Sequence, residues 1–232
     1  MTRKTVVFAS GQLLTRHAWA PQIAALASDC DLTVADHGRD DTIAGMARRL
    51  LDAAPHRFHL VGHAMGGFTA FEVMRQAAER VQSLVLIATL ASTDTPAQTE
   101  RRQGYLRLVQ AGDFERVVEE RIPLLVHPRR RGHDALVSLI RSMAAETGAE
   151  RFLAQQRAIM SRADSRPSLG NIAVPTLLIR GDHDAITSEA HQAEILAGIP
   201  GAHLAVIAYC GHLPTLEQPE ATNRHLKDWL AV

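Results

Sequence analysis

Three short stretches of this chain combine residue types that could do chemistry, each at the end of an apolar run. They are Leu60-Val61-Gly62-His63-Ala64-Met65-Gly66-Gly67, Arg180-Gly181-Asp182-His183-Asp184 and Tyr209-Cys210-Gly211-His212-Leu213-Pro214. The first has the spacing of a nucleophile elbow, G-x-S-x-G, with Ala64 where the serine belongs. Such a turn holds its central residue in a strained conformation at a strand tip and sets the free N–H groups of a helix N-terminus behind it. Its glycines allow strand and helix to approach closely. The second stretch offers a carboxylate and the third an imidazole. Nucleophile position, acid and base then follow one another in chain order, each after an apolar run. The chemistry this suits is acyl transfer. An oxygen at position 64 would attack a carbonyl, His212 would take its proton and return it to the leaving group, and Asp184 would hold the imidazole tautomer. Each signal has a plain alternative: a glycine-rich turn, an exposed histidine, an aspartate that caps a loop. Asp182 and Asp94 compete with Asp184 for the role of acid. Ser10 is a weak substitute nucleophile, because no elbow aims its oxygen.

Placing these residues together needs strands that end on one edge. Six apolar runs, at 4–10, 31–36, 57–63, 81–89, 174–182 and 203–210, are mostly continuous rather than alternating. Continuity marks parallel strands covered on both faces. Helical spacing appears between them at 19–28, 42–53, 65–78, 188–197 and 220–230. The alternation predicts an α/β fold with a doubly wound parallel sheet. Residues 95–165 contain no strand pattern. Helices are predicted there at 96–110, 113–121, 133–146 and 149–161, divided by turn signals such as Thr147-Gly148. This region reads as a helical cap inserted into a core made of residues 1–94 and 166–232, since ligands of open α/β sheets bind at the strand C-termini. A separate helical interaction domain is the other reading.

Composition narrows the function classes. The chain has 232 residues, with 25 Lys and Arg against 25 Asp and Glu, and 46% apolar residues. Zero formal charge argues against nucleic acid or an anionic membrane as a partner. No run of about 18 apolar residues occurs. Cys30 and Cys210 form no disulfide framework or CxxC pair, and a cytoplasmic setting is expected. The 12 histidines show no metal-ligand spacing, so no metal is expected. No GxGxxG or P-loop is present, and no cofactor is expected. The neutrality is uneven: residues 95–166 hold 13 Arg against nine Asp and Glu. The run Pro128-Arg129-Arg130-Arg131 within it reads as a solvated turn between cap helices, with attraction of anionic substrates as the sharper alternative.

With these motifs the sequence resembles the α/β-hydrolase superfamily over essentially its whole length. It looks most like small bacterial hydrolases of the carboxylesterase, lactonase and enol-lactonase kind. The resemblance implies about six parallel strands in the order 2-1-3-4-5-6, the first two strands of the usual fold being missing. It places Phe8-Ala9-Ser10-Gly11-Gln12 at the family's oxyanion loop, with Ser10 where a histidine is usual. The N–H groups of Gln12 and Met65 are then the implied oxyanion donors, and Ala64, Asp184 and His212 the triad positions. Leu13, Trp19, Phe68 and Leu213 flank this site and are candidates for binding substrate. The expected substrate is a small molecule with an ester, lactone or related acyl bond, and the expected assembly a monomer or homodimer. Absence of Asp at position 64 disfavours haloalkane dehalogenase and epoxide hydrolase chemistry.

Ala64 admits three readings. It could be the edited nucleophile of an otherwise intact serine enzyme, made inactive by engineering. It could be a natural alanine beside a working His–Asp pair, with lyase or cofactor-free oxygenase chemistry. It could belong to a ligand-binding protein that kept the scaffold. The first is preferred, because every other member of the machinery is present.

Overall fold

The computed structural model describes residues 3–38 and 40–231. Six strands form one parallel sheet: β1 (Lys4–Ala9), β2 (Cys30–Val34), β3 (Phe58–His63), β4 (Val81–Ile87), β5 (Thr176–Gly181) and β6 (His203–Ile207). Their spatial order is β2-β1-β3-β4-β5-β6, the predicted one. The four inner strands are buried along nearly their whole length, while β2 and β6 at the edges are only partly covered. That contrast follows from having a neighbour on both sides or on one.

The period-2 geometry of a strand divides the core. Val6 and Phe8 of β1 point to one layer with Val61, Val85 and Ile87. Val7 and Ala9 point to the other with Leu60, Leu84 and Leu86. Helices α1 (Ala20–Leu26), α2 (Ile43–Ala53) and α3 (Met65–Ala77) follow β1, β2 and β3. Thr42 caps α2 by accepting the Gly45 N–H at 3.1 Å, and Ile43, Met46, Ala47, Leu50 and Leu51 form its buried stripe.

Between β4 and β5 lie α4 (Pro96–Gln110), α5 (Phe114–Leu125) and α6 (Asp134–Met160). Thr95 and Gln98 make a reciprocal capping box at the start of α4. The two helices predicted at 133–146 and 149–161 meet end to end at a kink within α6, at Gly148, whose φ of 76° and ψ of 166° are non-helical and separate the two helical segments. Helix α5 runs past the predicted end at residue 121 and through Pro123. Arg131 Nη2 donates to the Pro123 carbonyl at 3.0 Å. Val117, Ile122, Val137, Ile140 and Phe152 of this insertion belong to the same apolar cluster as one face of the sheet. Helices α7 (Glu189–Gly198), α8 (Pro214–Glu217) and α9 (Pro219–Leu230) complete the chain. Among the described residues, no helix is long and apolar enough to cross a membrane.

Several strands stop earlier than their apolar runs predict. The fourth ends at Ile87 because Ala88 turns out with φ 46°, and the sixth ends at Ile207, two residues before Tyr209 at φ 54°. A positive φ ends an extended strand and sends the chain off the sheet. The sheet order reverses between β1 and β3, and the loops that leave these two strands stand side by side at the resulting crevice.

Candidate active site

The elbow is built by close backbone approach. A Cβ on Gly62 would stand 2.5 Å from the Gly66 carbonyl oxygen, and one on Gly66 only 1.9 Å from the carbonyl oxygen of Ala9. A Cβ on Gly67 would meet Thr89 Oγ1 at 2.4 Å. Both glycines of the motif, and the one after it, are therefore required by space. Ala64 itself has φ 50° and ψ −109°, a conformation that costs a non-glycine residue about 1–3 kcal/mol. Its N–H donates to the Ile87 carbonyl at 2.9 Å, and its own carbonyl accepts from Thr89 Oγ1 at 2.8 Å. The strain is thus held from both sides.

The loop after β1 reaches this elbow. A Cβ on Gly11 would lie 3.3 Å from Ala64 Cβ, so the chain passes directly over position 64. Gln12 and Met65 both line the cavity there. Ser10 is buried and its Oγ accepts the indole N–H of Trp19 at 2.9 Å, which removes it as a nucleophile for this cavity.

His212 and Asp184 come together from the loops after β6 and β5. His212 Nδ1 is 2.9 Å from Asp184 Oδ2 and 3.0 Å from Oδ1. Asp184 also accepts the N–H groups of Ile186 and Thr187, at 2.8 and 3.0 Å, and the Thr187 hydroxyl. Burial alone would push this carboxyl up. The adjacent His212 and the Thr187 hydrogen bonds outweigh burial and hold it down at about 2. Asp184 is therefore an anion at neutral pH and accepts the Nδ1–H, which leaves the His212 Nε2 lone pair as the free basic site.

The competing carboxylates have other work. Asp182 accepts the N–H groups of Tyr209 and Cys210, each at 3.0 Å, and sits 2.8 Å from His183 Nδ1. Asp94 lies 2.6 Å from Arg102 and 2.8 Å from Arg162. His127, Asp182 and His183 form the group whose ligand atoms could share a metal ion. Asp182 is committed to the two backbone N–H groups and His183, and His127 Nδ1 accepts the Arg129 N–H at 3.1 Å.

Two residues that the motifs did not single out position His212. His63 Nε2 donates to the His212 carbonyl at 2.8 Å. Burial, then the nearby His212, pushes the pKa of His63 down to about 3, so it is a neutral donor. Glu217, 1% exposed, accepts the N–H groups of Gly211 and Leu213 with one oxygen, at 2.8 and 3.3 Å, and that of His127 with the other at 2.7 Å. The His212 N–H donates to the Leu125 carbonyl at the end of α5, at 2.9 Å. No pattern in a single sequence marks His63 or Glu217, because their roles rest on backbone groups brought from elsewhere.

The cavity joining these groups encloses about 70 Å³ and is lined by Ala64, Met65, Gln12, His212, Phe68 and Leu213 among others. Two expected pocket residues do not line it. Trp19 is fully buried and stacks on Phe8 with ring centres 4.7 Å apart, as part of the core under the β1 loop. Leu13 has φ 61° and its N–H is tied to Gln155 Oε1 at 3.1 Å, so that Leu14 supplies the wall instead. The basic run at 128–131 also lies outside the lining. The cationic side chains that do reach the cavity are Arg101, Arg102 and Arg121.

The sequence profile described as the Alpha/beta hydrolase family matches residues 6–225. The chain is 30% identical over 233 residues to RutD of Azorhizobium caulinodans, provisionally named a carbamate hydrolase, covering 90% of this chain and 84% of that protein. It is 28% identical to a pimeloyl-[acyl-carrier protein] methyl ester esterase of Nitrosomonas europaea, covering 78% and 74%. Among solved structures, a thermophilic esterase of Thermogutta terrifontis superposes with a TM-score of 0.90 at 27% identity, covering 99% of this chain and 90% of that one.

Proposed function

The chain belongs to the alpha/beta hydrolase family, and from that premise we propose that its cavity is built to hydrolyse a carboxylic ester, lactone or related acyl bond by serine-hydrolase chemistry, with Ala64 standing at the nucleophile position. The observation that carries this reading is the His212–Asp184 pair, at 2.9 and 3.0 Å, opening on the same cavity as a strained non-glycine residue at the tip of β3. A strained elbow stores free energy with a purpose when its side chain is an oxygen nucleophile. An alanine there keeps the geometry and loses the reacting atom.

With serine at 64, His212 Nε2 takes the hydroxyl proton as the oxygen attacks the acyl carbon. Asp184 stabilises the imidazolium that forms. The developing oxyanion is met by the N–H groups of Gln12 and Met65, the latter at the N-terminus of α3 where the helix dipole adds to the field. His212 then returns the proton to the leaving group, and water resolves the acyl-enzyme in the same manner. Helices α4 to α6 act as a cap that sets the substrate side of the cavity. The chain as written cannot form the acyl-enzyme.

The test is Ala64→Ser. The variant is expected to hydrolyse short p-nitrophenyl esters at least about 10⁴-fold faster than the parent. It should also be labelled covalently by a fluorophosphonate, and both gains should vanish with the further change His212→Ala. A folded Ala64→Ser protein with neither hydrolysis nor labelling overturns the reading. Turnover by the parent that needs His212 overturns it in favour of His–Asp base chemistry.

A further inference from the structure

The part of the cavity wall supplied by α4 and by Arg121 has a different character. Gln98, Arg101, Arg102 and Tyr105 of α4 and Arg121 of α5 line it, and among the described residues no acidic side chain lines the cavity. The carboxylates nearby are already engaged. Asp94 alone serves both Arg102 and Arg162. Glu119 and Glu120, beside Arg121 in the chain, pair with Arg141 at 2.6 Å and Arg116 at 2.8 Å. Among the described residues, neither Arg101 nor Arg121 has a carboxylate partner. Arg121 Nε is shut off from solvent and has no hydrogen-bond partner. Its guanidinium stands 6.0 Å from the centre of the Phe152 ring, which supports it from the cap interior. Burial, then the charges of Arg102 and Arg101, lowers its pKa to about 10, which leaves it a cation at neutral pH.

An unpaired guanidinium donor with its solvation removed is costly unless an anion arrives. Arginine presents a planar fork that matches a carboxylate in two-point hydrogen bonding, and a cavity of low dielectric strengthens that pairing. We propose that Arg121 and Arg101 form an anion subsite that takes a free carboxylate of the substrate, so that the scissile bond at Ala64 belongs to a half-ester or lactone of a dicarboxylic acid. Gln98 and Tyr105 supply further polar groups to the same wall. The proposal deepens the hydrolase reading and rests on it for the position of the acyl group. The anion subsite itself is a binding property and can be measured without turnover.

The parent chain suits the experiment, because Ala64 cannot consume the ligand. Monomethyl glutarate and dimethyl glutarate are titrated into it by calorimetry. The half-ester is expected to bind at least tenfold tighter than the diester. Arg121→Met should bring that preference to within twofold of unity, Arg121→Lys should keep part of it, and Arg101→Gln, at an exposed position, should reduce it at least threefold. Circular dichroism checks that each variant is folded, and Arg101→Gln carries the test if Arg121→Met is not. Equal affinity for the two esters, no binding of either at millimolar concentration, or a preference unaltered in both Arg121→Met and Arg101→Gln overturns the subsite. If Ala64→Ser hydrolyses neutral esters while the parent shows no half-ester preference, the subsite fails and the hydrolase reading stands. If the preference depends on the arginines while Ala64→Ser is inert, the subsite stands and the hydrolase reading fails.

Discussion

Gly66→Ala is a sharp test of how the elbow is assembled. The new methyl carbon would stand 1.9 Å from the Ala9 carbonyl oxygen, 2.4 Å from its carbonyl carbon and 3.0 Å from the Ser10 carbonyl oxygen. Carbon and oxygen in contact sit about 3.3 Å apart, so a gap of about 1.4 Å must open between α3 and the end of β1. Neither side yields readily. Strand β1 is paired on both edges, to β2 and β3, and α3 begins directly after Ala64, the residue held by Ile87 and Thr89. Overpacking against backbone belongs at the upper end of the usual range, about 3 kcal/mol. For a chain of this length that lowers Tm by about 6–12 °C. Gly104→Ala is the control. Gly104 lies inside α4, where a Cβ would meet nothing closer than Arg107 Nη2 at 3.9 Å. Alanine there should raise stability by about 0.5–1 kcal/mol, or Tm by about 1–4 °C. Scanning calorimetry of the two variants reads the opposite shifts. A Gly66→Ala protein melting within about 2 °C of the parent would refute the close-approach argument. In the Ala64→Ser background the same change should also depress kcat, since it moves the strand that leads to Gln12.

Two further changes probe the surroundings of the site. His63 has a pKa of about 3 in the fold against about 6.5 unfolded, so the unfolded chain binds the proton first. Its contribution to stability is complete above about pH 6.5 and erodes as pH falls toward about 3, by about 1.4 kcal/mol per pH unit. Urea unfolding of His63→Gln should show a shallower acid slope than the parent, and an equal slope would refute the assignment. Asp94→Asn leaves Arg162, whose side chain is 3% exposed, facing Arg102 without a counter-charge. A loss of about 3–5 kcal/mol is expected in denaturant unfolding, and a loss under about 1 kcal/mol would show that the pair adds little.

The sheet was legible because its signals are local and redundant. Runs such as Thr5-Val6-Val7-Phe8 and Leu84-Val85-Leu86-Ile87 can only be buried on both faces, and turn glycines separate strand from helix. The loop after β6 was legible for its histidine, because Gly211-His212 follows an apolar run. Element ends were less so. The helix predicted to end at residue 121 runs on to Leu125, where Arg131 holds the Pro123 carbonyl and the His212 N–H holds the Leu125 carbonyl. Trp19 looked like a pocket wall, since sequence does not tell which side of a loop an indole faces. The cavity arginines were obscured by a more conspicuous run. Arg129, Arg130 and Arg131 stand together in the chain, whereas Arg101 and Arg121 are twenty residues apart and meet only through the packing of α4 on α5.

The hydrogen bond from the His212 N–H to the Leu125 carbonyl, and the two-sided grip of Glu217 on the loops around His212 and His127, have an evolutionary consequence. The helical insertion is not a detachable module. A lineage could rebuild α4 or the outer half of α6 and alter which molecules enter without disturbing the imidazole. A lineage that rebuilt the end of α5 would have to rebuild the placement of His212 with it, so the shape of that helix end and the position of the imidazole are inherited together.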